Sequence, residues 1–176
     1  MDLYRKNNLD CSRITTRNYS TSFSLGVRML SPIYREGIYS IYGFVRYADE
    51  IVDTFFDQDQ RTIFEEFRQE TFKAIDRGFS INPIIDSFQM AVRKYSIDRE
   101  LIEAFLLSME MDLSTDVYSP ELLQKYIYGS AEVVGLMCLR VFYYNEPEKY
   151  DALVAPARKL GEAFQKVNFL RDARDD

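Results

Sequence analysis

The 176-residue sequence contains no histidine. This absence excludes Ser–His and Cys–His nucleophilic pairs, histidine acid–base catalysis and most zinc sites within the chain. A metal held by this chain must therefore be bound mainly by carboxylates. Carboxylate ligands suit hard ions such as Mg²⁺ or Mn²⁺.

Cysteines and long apolar runs are also scarce. The two cysteines, Cys11 and Cys138, do not indicate a disulfide framework, and we expect a reduced, cytoplasmic setting. The first twenty residues lack the apolar segment of a signal peptide. No window approaches the roughly 18 uncharged apolar residues that predict a membrane span.

Positive charge is in the minority, because 22 basic residues stand against 28 acidic ones and the net charge is -6. This balance argues against a nucleic-acid binder. The first stretch of the chain differs, since Arg5, Lys6, Arg13 and Arg17 outnumber the aspartates there. Such residues either serve phosphates or an anionic membrane surface, or are ordinary solvated charge.

Glycine and proline are few, at 7 and 5, and fall mostly between periodic segments. The periodicity predicts helices without strands, in a single all-α domain over residues 1–176. The 47% hydrophobic content is enough for a core. We find no internal repeat and no glycine-rich phosphate loop. The predicted helices cover residues 10–25, 33–55, 59–77, 82–95, 98–113, 119–144 and 147–175.

One predicted helix is apolar almost all round. Residues 38–48 read "IYSIYGFVRYA", so this helix should be central. Gly43 in its middle costs about 1 kcal/mol relative to alanine. A close helix crossing, a ligand or simple tolerance would each explain it.

Two aspartates follow on the same helix, in "YADEIVD". Asp49 and Asp53 are one turn apart, and Arg46 lies on the same face. Like charges at this spacing repel each other, so Arg46 or a divalent ion should compensate. The alternative is a solvated cluster near a helix end.

The end of the chain repeats this pattern, in "GEAFQKVNFLRDARDD". Asp172 and Asp176 have the spacing of the first pair, and Arg171 lies beside them. Gln165 and Asn168 fall on the same polar stripe. Two such helices facing each other could hold Mg²⁺ ions that bridge to a diphosphate, with the arginines binding the remaining oxygens.

Four stretches in this order resemble the squalene/phytoene synthase family of head-to-head prenyltransferases. They span nearly the whole chain: "NYSTSFSLGVRML" (18–30), "IYSIYGFVRYADEIVD" (38–53), "YIYGSAEVVG" (126–135) and "EAFQKVNFLRDARDD" (162–176). The resemblance implies an all-α isoprenoid-synthase helical bundle around a central cavity. It also implies magnesium-dependent condensation of two allylic diphosphates through a cyclopropylcarbinyl diphosphate intermediate.

The resemblance also assigns residues to roles. Metal and diphosphate binding would fall to Asp49, Asp53, Asp172 and Asp176. Contacts with diphosphate oxygens would come from Ser20, Ser22, Arg46 and Arg171, with Gln165 and Asn168 as polar neighbours. Tyr128 matches a central-cavity tyrosine. Phe23, Val27 and Tyr42 are expected to line the substrate cavity, where aromatic faces stabilise cations and exclusion of water protects them; core packing is the alternative for the two aromatic residues.

Two departures from the family stand out. Where many relatives have valine-alanine-glycine, this chain reads "SAE". Glu132 therefore sits beside a lipid cavity and needs a partner that the sequence does not identify. Family members also continue past the second aspartate motif, so we expect this chain to be the N-terminal part of a longer enzyme that carries further helices.

The favoured prediction is a phytoene synthase of bacterial type that joins two geranylgeranyl diphosphates. The modest side chain of Val27, one turn after Phe23, leaves room for a long prenyl tail. Squalene or dehydrosqualene synthesis from two farnesyl diphosphates is the alternative. Two non-enzymatic alternatives are an assembly factor of the same fold and a plain helical interaction module. The apolar substrate tail and product are consistent with peripheral contact at the inner membrane face.

Overall fold

The helices follow the predicted pattern with one exception. A computed structural model describes residues 2–114 and 118–175, with side chains described as far as residue 170. No β-strand occurs within these ranges, which confirms the all-α prediction. The chain divides into two compact units, Met1–Ile97 and Asp98–Asp176. The single domain over residues 1–176 stays a prediction.

The first unit contains five helices whose ends are set by local signals. They are α1 (Asp2–Tyr19), α2 (Thr21–Met29), α3 (Pro32–Asp53), α4 (Gln60–Arg77) and α5 (Pro83–Tyr95). Proline occupies the first turn of α3 and of α5, where its missing N–H has no partner to lose. The Asp59 side chain accepts a hydrogen bond from the Thr62 backbone N–H at 3.1 Å and so caps α4.

The exception is the predicted helix 10–25, which is wrong. The chain instead forms α1 and α2, with a break at Ser20. Ser20 has extended dihedrals (φ -149, ψ 105), and its side chain accepts a hydrogen bond from the Phe23 backbone N–H. An N-cap serine satisfies a donor that a new helix would otherwise leave unpaired. Local capping therefore outweighs continuation of the helix.

Helix α3 lies at the centre of the first unit, as its apolar sequence predicts. Phe44 is fully buried, with its ring centroid 3.8 Å from that of Phe88 and 5.4 Å from that of Phe67. Burial of such a side chain contributes roughly 1.5–3 kcal/mol. Gly43 is explained by a close crossing with α1, because a Cβ atom there would lie 2.9 Å from the Ser12 hydroxyl oxygen.

The second unit contains a long helix interrupted by one π-helical turn. Its elements are α6 (Arg99–Asp112), α7 (Pro120–Ile127), the π-helical turn (Tyr128–Glu132), α8 (Val133–Phe142) and α9 (Pro147–Asp175). Ser119 caps α7, accepting from the Leu122 backbone N–H at 3.2 Å. Asp98 occupies the N-cap of α6, but its carboxylate accepts from Arg140 at 2.8 Å instead of capping the backbone.

The π-helical turn passes very close to α6. A Cβ atom on Gly129 would lie 2.6 Å from the Cβ of Ser108 and would also clash with the Ala104 carbonyl oxygen. Only glycine allows this approach. Neither Cys11 nor Cys138 forms a disulfide bond. Among the described helices, none is both long enough and apolar enough to cross a bilayer.

Candidate active site

The acidic end of α3 carries a cluster of charged side chains that joins α1 to α3. Arg46 donates from Nη2 to Oε2 of Glu50 at 2.6 Å. Its guanidinium carbon lies 4.4 Å from the centre of the Tyr19 ring, within the range of a cation–π contact. The Nε atom of Arg46 is buried and has no hydrogen-bond partner within the described part of the chain. One donor of this arginine is therefore left for another acceptor.

Glu50 is the residue of this cluster that the sequence prediction did not include. Burial raises the pKa of Glu50, but hydrogen bonds from Thr54 and Arg46 outweigh it and hold the pKa below its ordinary value. Burial also raises the pKa of Tyr19, and its hydrogen bond with Glu50 acts in the same direction. Glu50 follows Arg46 by four residues, the spacing of a helical ion pair. The sequence therefore contained a signal for it.

The two predicted aspartates differ in their surroundings. Asp49 is half-buried, whereas Asp53 is exposed at the last residue of α3. Partial desolvation raises the pKa of Asp53; attraction to Arg46 opposes the shift, and repulsion from Glu50 adds to it. A bound cation would relieve this unfavourable ionisation.

The predicted residues of α2 lie beside this cluster. The Ser20 side chain caps α2, and Ser22 is exposed. The rings of Phe23 and Tyr42 stack with their centroids 4.6 Å apart. Burial raises the pKa of Tyr42, while Arg46 and Ser20 oppose the shift and Asp49 adds to it. Tyr42 is therefore a hydrogen-bond partner of Ser20 and lies within electrostatic range of Arg46 and Asp49.

The predicted cavity residues are not equally accessible. Phe23 is 39% exposed, whereas Val27 is only 2% exposed and belongs to the core of the first unit. An apolar groove of about 780 Å³ lies elsewhere, between α1, α3 and α4. Tyr19 and Glu50 line it, and none of the three predicted cavity residues does.

In the second unit, the π-helical turn places Tyr128 next to an ion pair. Arg158 of α9 donates from Nε to Oε2 of Glu132 at 2.6 Å, and its guanidinium carbon lies 5.0 Å from the centre of the Tyr128 ring. Glu132 is only 8% exposed, so Arg158 is the partner that this carboxylate requires. No local pattern could reveal it, because Arg158 follows 26 residues later on another helix.

The second acidic motif is described only in part. Gln165 and Asn168 are half-buried on α9. The side chains of Arg171 and Asp172 lie outside the described residues, as does Asp176 altogether. Within the described residues, no group of three or more acidic or cysteine side chains could hold a metal ion. The pairing of the two motifs stays a prediction.

Comparison with known proteins identifies the family. The family model described as squalene/phytoene synthase matches residues 16–176, most of the chain. The chain belongs to the squalene/phytoene synthase family. This membership confirms the resemblance carried by the four sequence motifs.

Members of the squalene/phytoene synthase family from bacteria align with this chain over much of its length. It is 32% identical over 158 residues to a presqualene diphosphate synthase of Sinorhizobium fredii, covering 89% of this chain and 55% of the relative. It is 27% identical over 182 residues to a phytoene synthase of Arthrospira platensis, covering 98% and 59% respectively. The chain thus spans somewhat more than half the length of these relatives.

Solved structures show the same fold. A crystal structure of a dehydrosqualene synthase in complex with ligand superposes with a TM-score of 0.81 at 22% identity, covering 95% of this chain and 57% of that one. The squalene synthase HpnC from Alicyclobacillus acidocaldarius gives a TM-score of 0.84 at 21% identity, covering 97% and 63%. At these identities the likeness concerns the fold.

Proposed function

We propose that this chain belongs to a prenyltransferase that condenses two prenyl diphosphates head to head in the presence of Mg²⁺. The observation that carries the proposal is the cluster at the acidic end of α3. It combines carboxylates on one helix with an arginine that keeps a buried, unused N–H donor. Such a set can bind a diphosphate through both metal and guanidinium contacts.

The carboxylates of α3 fit a magnesium ion by their chemistry. Asp49 and Asp53 offer hard oxygen ligands one helical turn apart, and the raised pKa of Asp53 reflects a partly desolvated carboxylate that a cation would favour. When bound, Mg²⁺ would stabilise negative charge on the leaving diphosphate. We propose that Asp172 and Asp176 provide the corresponding ligands on α9, with Gln165, Asn168 and Arg171 beside them.

Arg46 would bind diphosphate oxygens and stabilise the leaving group during ionisation. Glu50 and Tyr19 hold its guanidinium from two sides, so its orientation is set before the substrate arrives. Ser20 and Ser22 would supply hydroxyl donors next to it. Phe23 and Tyr42 form a stacked aromatic pair that could face the cation left after ionisation, and Tyr128 is kept as a further candidate for this role.

The relatives suggest which prenyl chains are joined. The identities of 30% and 32% to presqualene diphosphate synthases exceed the 27% to a phytoene synthase. Val27 is part of the core, so the size of its side chain does not support a longer substrate. We therefore propose two farnesyl diphosphates as the substrates, with presqualene diphosphate as the first product. Two geranylgeranyl diphosphates and phytoene are the second candidate, favoured by the phytoene synthase that aligns over 98% of this chain.

The test is to incubate the purified full-length enzyme with farnesyl or geranylgeranyl diphosphate, with Mg²⁺ or with EDTA, and to identify products by mass spectrometry. We expect a condensation product that requires Mg²⁺. Asp53→Asn should lower kcat/KM at least about a hundredfold, since it removes a metal ligand. Asp57→Asn is the matched control, because Asp57 is an exposed aspartate just beyond α3.

The outcomes separate the alternatives. Condensation of farnesyl but not geranylgeranyl diphosphate supports the first candidate, and the reverse supports the second. Absence of any product with both substrates would contradict the proposed function. If diphosphate binding also proved independent of Mg²⁺ and of Asp53, a non-catalytic helical module would be the better description.

A further inference from the structure

Four arginines converge on one cavity of the first unit, far from the acidic end of α3. The cavity has a volume of about 410 Å³ and is lined by Arg13 and Arg17 of α1, Arg28 of α2, and Arg35 and Tyr39 of α3. None of the described residues that line it is acidic. In a chain whose net charge is -6, this local excess of positive charge favours binding of an anion.

The cavity also lies away from the proposed metal ligands of α3. Arg35 and Asp49 are fourteen residues apart on α3, so about 21 Å of helix separates them. Of the basic residues near the start of the sequence, Arg13 and Arg17 line this cavity, whereas Arg5 and Lys6 do not. Folding adds Arg28 and Arg35, whose part in such a site the sequence pattern did not predict.

The arginines are only partly neutralised by neighbours. Arg13 is 3.8 Å from Asp10 in a long, exposed pair. Arg35 donates from Nε to the Leu30 carbonyl oxygen at 2.9 Å, which orients its guanidinium without neutralising it. No hydrogen bond or ion pair within the described residues involves Arg17 or Arg28.

Tyr39 provides a second, independent observation. Its side chain lines the cavity although the residue is only 6% exposed. Its hydroxyl makes no hydrogen bond to any other residue in the described ranges. The hydroxyl is therefore free to donate a hydrogen bond to a ligand inside the cavity.

We propose that this cavity binds a phosphate group, separately from the acidic site of α3. Planar guanidinium groups match phosphate oxygens in bidentate geometry, and the Tyr39 hydroxyl adds a donor at the wall. The phosphate group belongs either to free diphosphate or to the headgroup of an anionic phospholipid. The exposed side chains of Met29 and Ile33, at 82% and 64%, flank the turn between α2 and α3 and suit the lipid source.

The experiment measures binding to metal-free protein in EDTA, so that Mg²⁺-dependent binding at the acidic motifs does not contribute. One arm titrates inorganic diphosphate by calorimetry. The other measures flotation with phosphatidylcholine vesicles, with and without phosphatidylglycerol. The test variant is Arg17→Gln with Arg28→Gln, and the control is Arg61→Gln with Lys73→Gln, which removes the same charge from exposed positions on α4.

We expect the test variant to bind at least about tenfold more weakly than the wild-type protein, with little change in the control variant. Tyr39→Phe, which keeps the ring in the core, should weaken binding about threefold if the hydroxyl donates to the phosphate. Loss in the diphosphate arm identifies a free anion, and loss in the vesicle arm alone identifies a lipid headgroup. An equal loss in the two double variants, or no binding by the wild-type protein in either arm, would overturn the proposal. Because neither arm measures condensation, failure here is distinguishable from failure of the proposed function.

Discussion

The Nε atom of Arg158 lies 2.6 Å from Oε2 of Glu132, and the same guanidinium covers the ring of a neighbouring tyrosine. This combination of acid, arginine and tyrosine recurs in the described residues. The three examples are Glu132–Arg158–Tyr128, Glu50–Arg46–Tyr19 and Asp98–Arg140–Tyr150. In each, the carboxylate neutralises the arginine while the ring restricts its motion. Two of the three lie at residues proposed for the active site.

Removal of Arg158 is expected to destabilise the second unit. In Arg158→Met the Glu132 carboxylate, with a side chain only 10% exposed, loses its partner, which should lower the free energy of unfolding by about 2 kcal/mol. Urea denaturation at neutral pH measures the change. Lys159→Met, at an adjacent side chain that is 83% exposed, should change stability by less than about 0.5 kcal/mol. Equal effects of the two substitutions would show that the ion pair does not stabilise the unit.

Alanine substitution should have opposite effects at two glycines. Gly129→Ala would place a methyl group against Ser108 and the Ala104 carbonyl of α6, and we expect a loss of about 3 kcal/mol. A Cβ atom at Gly26, inside α2, would meet no atom within 4 Å, so Gly26→Ala should stabilise the chain by about 0.5–1 kcal/mol. Thermal denaturation measures whether Gly129→Ala lowers the stability and Gly26→Ala raises it. A loss at Gly26 as large as that at Gly129 would contradict the packing described for the π-helical turn.

Glu50 should contribute a pH-dependent part of the stability. Its pKa is lowered in the folded state from the ordinary value of 4.5, so its contribution is present above that value and is lost as the pH falls through the folded-state pKa. The difference in unfolding free energy between wild type and Glu50→Gln should therefore shrink on acidification. At neutral pH we expect about 1 kcal/mol. Arg46→Gln should reduce the same dependence, and a difference that is constant from pH 7 to pH 3 would contradict this account.

Ser20 is predicted to have a structural role as the N-cap of α2 and a separate role in diphosphate binding. Ser20→Ala should cost about 1 kcal/mol, because the Phe23 N–H loses its acceptor. Ser20→Asp keeps a good capping side chain and should preserve stability. If Ser20 lies against diphosphate, the added negative charge should nevertheless raise KM for the prenyl diphosphate. Unchanged kinetics in a stable Ser20→Asp variant would leave Ser20 with the capping role alone.

The sequence predicted the helices well and the site only in part. Apolar periodicity and proline positions located α3 to α6, α9 and the outer ends of the interrupted helix α7–α8 to within about two residues, because both signals act locally. The π-helical turn between α7 and α8 was not predicted. The boundary at Ser20 was missed because a serine cap competes with helix continuation over a single residue. The ion pair between Glu50 and Arg46 could be predicted from their four-residue spacing. Arg158, Arg28 and Arg35 acquire their importance only through tertiary packing, which no local pattern records.

The π-helical turn at Tyr128–Glu132 has a consequence for how the chain is compared with its relatives. A π-helical turn accommodates one more residue than an α-helical turn, so side chains beyond it are rotated by about 100° relative to an uninterrupted helix. A relative that lacked one residue here could keep the same buried face on α8. Alignment of this segment should therefore tolerate a one-residue gap, and homology models built without it would turn the face of α8 away from the core.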